Sequence, residues 1–420
     1  MKNKTPTSSW QEYSFSEIAK NDKFAIVDGP FGTQLHSDEY TETGIPLVRI
    51  ENLSFSGKFS PENLAFISEK KAKQLNRSRV VPDDLIIAKT GATIGKSGMF
   101  PNTFTNGIIA SSCMKVSCDP NKVDPKLILY MIVWENGQKK ILEGAGGSTR
   151  TSINIGPFSD IRLLLPESIS EQRKIAEILT TVDDSIEQTE ALIHKYQRIK
   201  QGLMQDLLRV KETWTVMPLG IACKKGYGSV QTGPFGSQLH SSDYKNEGIP
   251  IITVEHLGDN EIIHENLPLV GEEDYLRLSK YKITTGDLVF SRVGAIDRCA
   301  YVSENENGWL FSGRLLRVRP GSLFDSMFLS YLLNHYPSRL WILNNSVGST
   351  MKCLNTTILS ELPVPIPSIR EQKEIGEKIS SIDSLIQETV QEMEKLSRIK
   401  QGLMQDLLTG KVRVNALLIN

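Results

Sequence analysis

The sequence predicts an α+β protein: two duplicated globular domains joined by two long α-helices that form an antiparallel coiled coil. Three observations carry this expectation. The second half of the chain repeats the first, each half divides into a β-rich part and a proline-free part, and the proline-free parts carry apolar residues at coiled-coil spacing.

The repeat is direct. Residues 29–53, GPFGTQLHSDEYTETGIPLVRIENL, recur as residues 233–257, GPFGSQLHSSDYKNEGIPIITVEHL, with 14 of 25 positions identical at an offset of 204. Residues 198–208, RIKQGLMQDLL, recur unchanged as 398–408. Weaker echoes lie between, DLIIAKTGA (84–92) against DLVFSRVGA (287–295) and GGSTR (147–150 carrying GSTR) against VGSTMK (347–352). A period near 200 is far too long for a solenoid unit, so the chain is a duplicated domain pair.

The β-rich parts come first in each copy, residues 1–166 and 211–367, and mix short apolar runs with Gly, Pro and Asn turns. Residues 45–50, 85–89, 249–254 and 288–292 are predicted strands, and 126–142 and 326–343 predicted helices. The helical parts follow, residues 167–210 and 368–420. Apolar positions Ile175, Leu179, Val182, Ile186, Ile193, Tyr196, Leu203 and Leu207 step by four and three along one seam, with Thr189 and Lys200 in the gaps. The second copy has Ile375, Ile379, Ile382, Ile386, Met393, Leu396, Leu403 and Leu407, with Thr389 and Lys400 in the same gaps. Two matched seams in one chain can bury themselves against each other, in preference to packing on their own domains or dimerising the chain. Gly410 is the expected C-terminal stop. Gly202 and Gly402 sit inside the helices at a cost of about 1 kcal/mol each relative to alanine. Close helix approach and a local break are both open as reasons for them.

Bulk properties bound the function. A 39 % hydrophobic, 23 % charged chain of 420 residues is a folded, multi-unit protein. No run approaches the roughly 20 apolar residues of a membrane-spanning helix, and the opening MKNKTP lacks a signal-peptide core; a cytoplasmic protein is expected. The five cysteines are scattered, and only Cys113 and Cys118 are close, so reduced, partly buried thiols are expected rather than a zinc tetrad. A net charge of −1 is a caution against a nucleic-acid partner, not a veto, because binding follows local potential. Residues 1–166 carry 20 basic and 17 acidic side chains, 211–367 carry 14 and 16. Any nucleic-acid face in the second domain must therefore be segregated, or helped by partner subunits.

The order domain, helix, domain, helix resembles that of Type I restriction-modification specificity (S) subunits. So do GPFGSQL (233–239), IPSIREQKEI (366–375) and KQGLMQDLLTGKVRV (400–414), and the resemblance spans essentially the whole chain. It implies that each globular unit is a target recognition domain reading one half of a split, asymmetric site on double-stranded DNA. It implies helices that set the spacer and dock two methyltransferase (modification) subunits, with Arg198, Lys200, Gln201, Leu203 and Met204, and Arg398, Lys400, Gln401, Leu403 and Met404, as the docking segments. Restriction (translocase and nuclease) subunits would join the assembly. S-adenosylmethionine and ATP would belong to those partners, leaving no cofactor, metal or catalytic residue on this chain. The geometry is sensible: about 38 helical residues span roughly 57 Å, more than one DNA turn of about 34 to 36 Å.

Three sets of residues are candidate DNA contacts. Lys89 and Arg292 end equivalent strands just before Gly91 and Gly294, with Thr90, Lys96 and Arg298 beside them. Such cations reach phosphates or guanine edges, or are simply solvated at a turn. The Gly-Ser-Thr turns supply Ser148, Thr149 and Arg150, then Ser349, Thr350 and Lys352, which suit phosphates or form ordinary loops. The Gly-Pro-Phe-Gly element fits a type I turn over residues 29–32, followed by Gln34 and His36, with Gln238 and His240 in the second copy. Glutamine can pair with adenine, but a structural turn whose Phe31 or Phe235 packs inward is preferred. Basic residues also cluster at Lys70, Lys71, Lys73, Arg77 and Arg79, and at Arg314, Arg317 and Arg319.

Enzyme readings fail on detail. TGATIGKS (90–97) has Thr90 where a P-loop needs glycine, and the second copy keeps none of its Gly-Lys-Ser. No methyltransferase tetrapeptide, nuclease metal cluster or metal-spaced histidine set is present. The alternative is also non-enzymatic: a coiled-coil scaffold whose globular domains bind protein.

Overall fold

The computed structural model describes residues 9–31, 34–146, 151–234, 238–240, 243–294, 296–348, 352–414 and 417. The chain forms two compact units, Met1–Thr189 with Glu392–Asn420, and Glu190–Gln391. Each unit therefore takes one globular domain and half of each long helix.

In the first unit, a four-stranded antiparallel sheet has the order 26–28, 113–116, 85–88, 97–99. A five-stranded sheet beside it has the order 40–41, 65–67, 45–48, 107–109, 79–80, with its 45–48 and 107–109 strands parallel. Trp10–Ser14 pairs antiparallel with Arg162–Pro166, so the start of the domain is tied to the strand that leads into the first long helix. The second unit repeats this plan: 229–232, 315–319, 288–291, 299–301 in one sheet, 244–245, 269–270, 249–252, 310–311 in the other, and Thr215–Pro218 paired with Pro363–Ile366. The four sequence-predicted strands are present but stop one or two residues early. Ile45–Val48 and Ile249–Ile252 run on towards short 3-10 turns, Ile50–Asn52 and Val254–His256.

Ile169–Leu207 and Ile369–Leu407 are unbroken α-helices of 39 residues. Ser168 and Ser368 accept from the backbone N–H of Glu171 and Glu371 at 3.4 and 3.3 Å, satisfying first-turn donors. Gly410, at φ +71°, follows the second helix as a stop that other residues rarely adopt. Within the first unit, Glu171 meets Arg413 and Asp183 meets Lys400, each at 2.6 Å. Climbing one helix is thus descending the other, and the pair is antiparallel. The second unit gives the same sense from Glu371 with Lys211 at 2.6 Å and Asp383 with Lys200 at 2.7 Å.

The seam joins the domain cores. Ile175 and Leu179 pack with Leu407 and Leu408 and with Leu127 and Ile128 in the first unit. Ile375 and Ile379 pack with Leu208, Phe328 and Leu332 in the second. Two glutamines fix the helices to their domains. Buried Gln172 accepts from Asp124 N and donates to Pro166 O, both at 2.8 Å. Buried Gln372 accepts from Asp325 N at 2.8 Å and donates to Pro367 O at 3.0 Å.

Two expectations need correction. The predicted helices 126–142 and 326–343 are each two helices: Pro125–Val133 then Glu135–Glu143, and Ser326–Asn334 then Tyr336–Asn345. Trp134 and His335 are extended, with ψ 147° and 145°. Pro337 explains the second break, because it fits only the first turn of a new helix. At the first break, a side chain on Gly137 would lie 1.8 Å from Met131 O, so the chain turns too tightly for a continuous helix. As to Gly202 and Gly402, the helices run through both, and a Cβ at either would meet nothing within 4 Å. Neither a break nor a close approach within the described residues accounts for them.

Among the cysteines, Cys113, Cys118, Cys223 and Cys299 are buried thiols. Burial pushes Cys113, Cys118 and Cys223 up to about 12, far from the reactive thiolate range. No described helix is long and apolar enough to cross a membrane.

Candidate nucleic-acid interface

The central sheet of each unit gathers the candidate sets at one end. In the first unit the strand Leu85–Ala88 continues to Lys89 and Thr90. There Ile153 N donates to Lys89 O at 2.9 Å, Gly91 N donates to Thr151 O at 2.8 Å, and Thr90 bridges Ser152. The residues following the first Gly-Ser-Thr turn thus lie along the strand end. In the second unit, Leu354 N donates to Arg292 O at 2.8 Å, Gly294 N to Lys352 O at 3.3 Å, and Val293 bridges Cys353. Ser148, Thr149, Arg150, Ser349 and Thr350 lie outside the described residues, but both turns are closed by backbone pairs, Gly146 with Ser152 and Val347 with Cys353.

The Gly-Pro-Phe-Gly element arrives at the same end. A Cβ on Gly29 would sit 1.9 Å from Ala110 O, and one on Gly233 2.1 Å from Ser312 O. Only glycine permits these strand crossings. Gln34 N donates to Phe31 O at 2.8 Å and Phe31 N donates to Gln34 Oε1 at 3.2 Å, so these bonds close residues 31–34; Gly32, and with it the expected 29–32 turn, lies outside the described residues. Phe31 does not pack inward. Its side chain is 57 % exposed, with Lys89 Nζ 5.4 Å from the ring centroid. Phe235 lies outside the described residues.

The cations divide into exposed and internal groups. Lys89 is buried and pairs with Asp28 at 3.0 Å. Arg292 is half-buried and donates to Gly313 O at 3.5 Å. Lys96 is half-buried, 5.8 Å from the Phe55 ring. Arg298, Arg314, Lys352, Gln34, His36 and His240 are exposed. Lys352 donates to Leu343 O at 2.7 Å, His36 N to Glu39 at 2.9 Å, and His240 N to Asp243 at 2.8 Å. Gln238 accepts from Tyr281 Oη at 2.6 Å. Arg317 and Arg319 turn to Asp287 instead, at 4.0 and 2.6 Å. Burial lowers the Arg317 guanidinium, while the hydrogen bond to Asp287 raises that of Arg319. Lys115 and Asp84 occupy the matching place in the first unit, 3.4 Å apart. Lys71 pairs with Glu39 at 2.6 Å.

On the helices, Arg198, Gln201, Arg398 and Gln401 are exposed. Leu203, Met204, Leu403 and Met404 pack against their units' cores. Lys200 and Lys400 face inward, to Asp383 and Asp183, and lie 5.9 and 5.8 Å from the rings of Tyr331 and Tyr130. In the second unit Lys200, Gln201 and Met204 line a cleft of about 820 Å³ with Asp259, Tyr336 and Arg339. The segment 90–97 forms a single 3-10 turn, Gly91–Thr93, and then the strand Ser97–Met99, so no helix N-terminus is present to cradle a nucleotide phosphate. Among the described residues no group of three or more His, Cys, Asp or Glu could hold a metal ion.

Sequence reasoning missed Asp28 and the backbone loops 110–112 and 312–314 against which the candidates sit. The identity of Gly29 and Gly233 in the repeat was the available signal for the latter.

Comparison with known proteins follows the same duplication. The family profile "Type I restriction modification DNA specificity domain" matches residues 10–197 and again 212–398. A putative type I restriction enzyme MjaX specificity subunit from Methanocaldococcus jannaschii is 24 % identical over 405 residues, covering 88 % of both chains. The type I restriction enzyme EcoBI specificity subunit of Escherichia coli is 22 % identical, covering 96 % of this chain and 86 % of its own. Among solved structures, the S subunit of a Type I restriction-modification system from M. genitalium has a TM-score of 0.61 at 15 % identity, covering 96 % of this chain and 97 % of that one. A chain from a study of type I R-M complex assembly and conformational transition has a TM-score of 0.54 at 14 % identity, covering 96 % and 98 %.

Proposed function

The chain belongs to the family of Type I restriction-modification DNA specificity domains, and from that premise we propose that its two globular domains each read one half of a bipartite, asymmetric DNA site. The observation that carries the reading is convergence. Strand ends and glycine turns from distant parts of the sequence meet at the same end of the same sheet in both units, and in the second unit exposed cations join them. Arg298, Arg314 and Lys352 are the exposed cations there, and they suit phosphate and base-edge contacts. Lys89 and Arg292 act from beneath this surface, held by Asp28 and by the Gly313 carbonyl.

The subunit works without catalytic residues of its own. Two methyltransferase subunits dock along the long helices, on the segments that present Arg198 and Gln201 in one unit and Arg398 and Gln401 in the other, and restriction subunits join that assembly. S-adenosylmethionine and ATP belong to those partners. The helices set the spacer between half-sites.

Two experiments test this. The complex with its methyltransferase partner is titrated onto duplex DNA across a salt series, and specific binding that weakens steeply with salt is expected; salt-insensitive binding would point to a protein-binding scaffold. Inserting four residues, about one helical turn, into both helices should change the spacer and leave both half-sites unchanged. An altered half-site with an unaltered spacer would defeat the ruler role.

A further inference from the structure

We propose that the residue immediately before the Gly-Pro-Phe-Gly element, Asp28 in the first unit and Thr232 in the second, sets the base preference of its recognition domain. The inference rests on the reading of the two units as DNA readers and goes beyond it by naming a position.

The two residues are structural equivalents. Asp28 pairs with Met114 and Thr232 with Leu316, at the ends of matching edge strands. Buried polar atoms are rarely left without a hydrogen-bond partner, and each exception needs a cause. Seven buried side-chain atoms among the described residues have none, and Asp28 Oδ1 and Thr232 Oγ1 are two of them. No other position has such an atom in both copies. Ser312 Oγ is a third, on the loop that Gly233 crosses in the second unit. Unpartnered polar atoms therefore accumulate where the candidate contacts converge.

Their chemistry differs in the way two half-site readers should differ. The Asp28 carboxylate can only accept; one oxygen is held by Lys89 at 3.0 Å, and the other is unused. It suits an exocyclic amino group, adenine N6 or cytosine N4, in the major groove. The Thr232 hydroxyl can donate or accept, so its domain tolerates either kind of edge. In the first unit Phe31 is the neighbour of the Asp28–Lys89 pair on the exposed side. That ring is exposed and lies 5.4 Å from Lys89 Nζ, beside the buried pair.

The test uses the full chain assembled with its methyltransferase partner, and maps modified sites across a genome. Asp28→Asn keeps the shape and adds a donor. It should shift or relax one base in one half-site, lowering discrimination there by about tenfold, with the other half-site unchanged. Thr232→Val should do the same to the other half-site without lowering the melting temperature, since the hydroxyl it removes has no partner to lose. Variants that modify only the wild-type sequence, with discrimination unchanged at both half-sites, would overturn the proposal. If Asp28→Asn unfolds the chain, Thr232→Val alone decides it. A wild-type complex without sequence preference would instead overturn the underlying reading of the units as DNA readers.

Discussion

Where each globular domain meets the long helices, the two copies place the same side chains in the same contacts. Tyr130 donates to Asp183 and Tyr331 to Asp383, both at 2.7 Å, and the inward Lys400 and Lys200 close the two triads. At the other region, the sheet end where the candidate contacts gather, equivalent positions hold different chemistry: Asp28 with Lys89 against Thr232 with Arg292. Duplication followed by divergence explains the contrast. Holding a helix on a domain is one task performed twice, so one solution serves. Reading two half-sites is two tasks, and the side chains there are free to separate while the backbone pairs under them stay the same.

The largest departure from sameness on the helix side is at the helix starts, and it gives the largest expected effect. Glu171 is fully buried and grips Arg413 of the C-terminal tail through both carboxylate oxygens, at 2.6 and 2.8 Å. Glu371 is 30 % exposed at its side chain and is held by Lys211 and the Trp214 indole. Removing a buried ionic partner is far more costly than removing an exposed one. Glu171→Ala should lower stability in urea unfolding by about 3 kcal/mol, and Glu371→Ala by about 1 kcal/mol. Equal losses would show that the tail does not close the first unit as the geometry implies.

The triads provide a test of sameness. Asp183→Ala and Asp383→Ala each remove the acceptor of a buried tyrosine hydroxyl and the partner of a seam lysine. Each should cost about 2 kcal/mol, and the two values should agree within about 0.5 kcal/mol. Double-mutant cycles with Lys400→Met and Lys200→Met should give matching coupling energies. A clear difference would mean that the copies have drifted here as well. Desolvation already pushes both Tyr130 and Tyr331 hydroxyls well above the ordinary phenol range, and the carboxylate beside each adds to it, so these contacts stay unchanged through neutral pH.

The contrast also explains what could be read in advance. The helix seam was legible because a 3.5-residue period and an eleven-residue exact repeat are local signals, and every predicted seam position is buried or half-buried. Lys200 and Lys400 interrupt that apolar pattern, yet they belong to the seam, since an aspartate from the facing helix meets each. The helix breaks at Trp134 and His335 were harder. Pro337 marked one, but Gly137 acts through a carbonyl contact that no sequence window contains. At the sheet end, the glycines and the strand-end cations were visible, whereas the burial of Lys89 was not. It depends on Asp28, 61 positions earlier, reaching the same end of the sheet across an intervening strand. The inward Phe31 expected of a structural turn is instead exposed, and its backbone is bonded on both sides by Gln34.

The smallest expected effect is the sharpest probe of what the repeated helix face is for. Gly202 and Gly402 lie in continuous helix, with open space where a side chain would stand. In an isolated chain nothing opposes a methyl group there, and alanine is the better helix former. Gly202→Ala and Gly402→Ala should each therefore stabilise the free subunit, by at most about 1 kcal/mol in thermal unfolding. Both glycines fall within the exact repeat, beside exposed Gln201 and Gln401, on the segments proposed to dock methyltransferase subunits. If a partner backbone approaches there, the same methyl group that steadies the helix will obstruct assembly. The double variant should then melt higher alone yet bind its methyltransferase more weakly by sedimentation or calorimetry. A variant that gained stability and kept full affinity would place the docking face elsewhere on the helices.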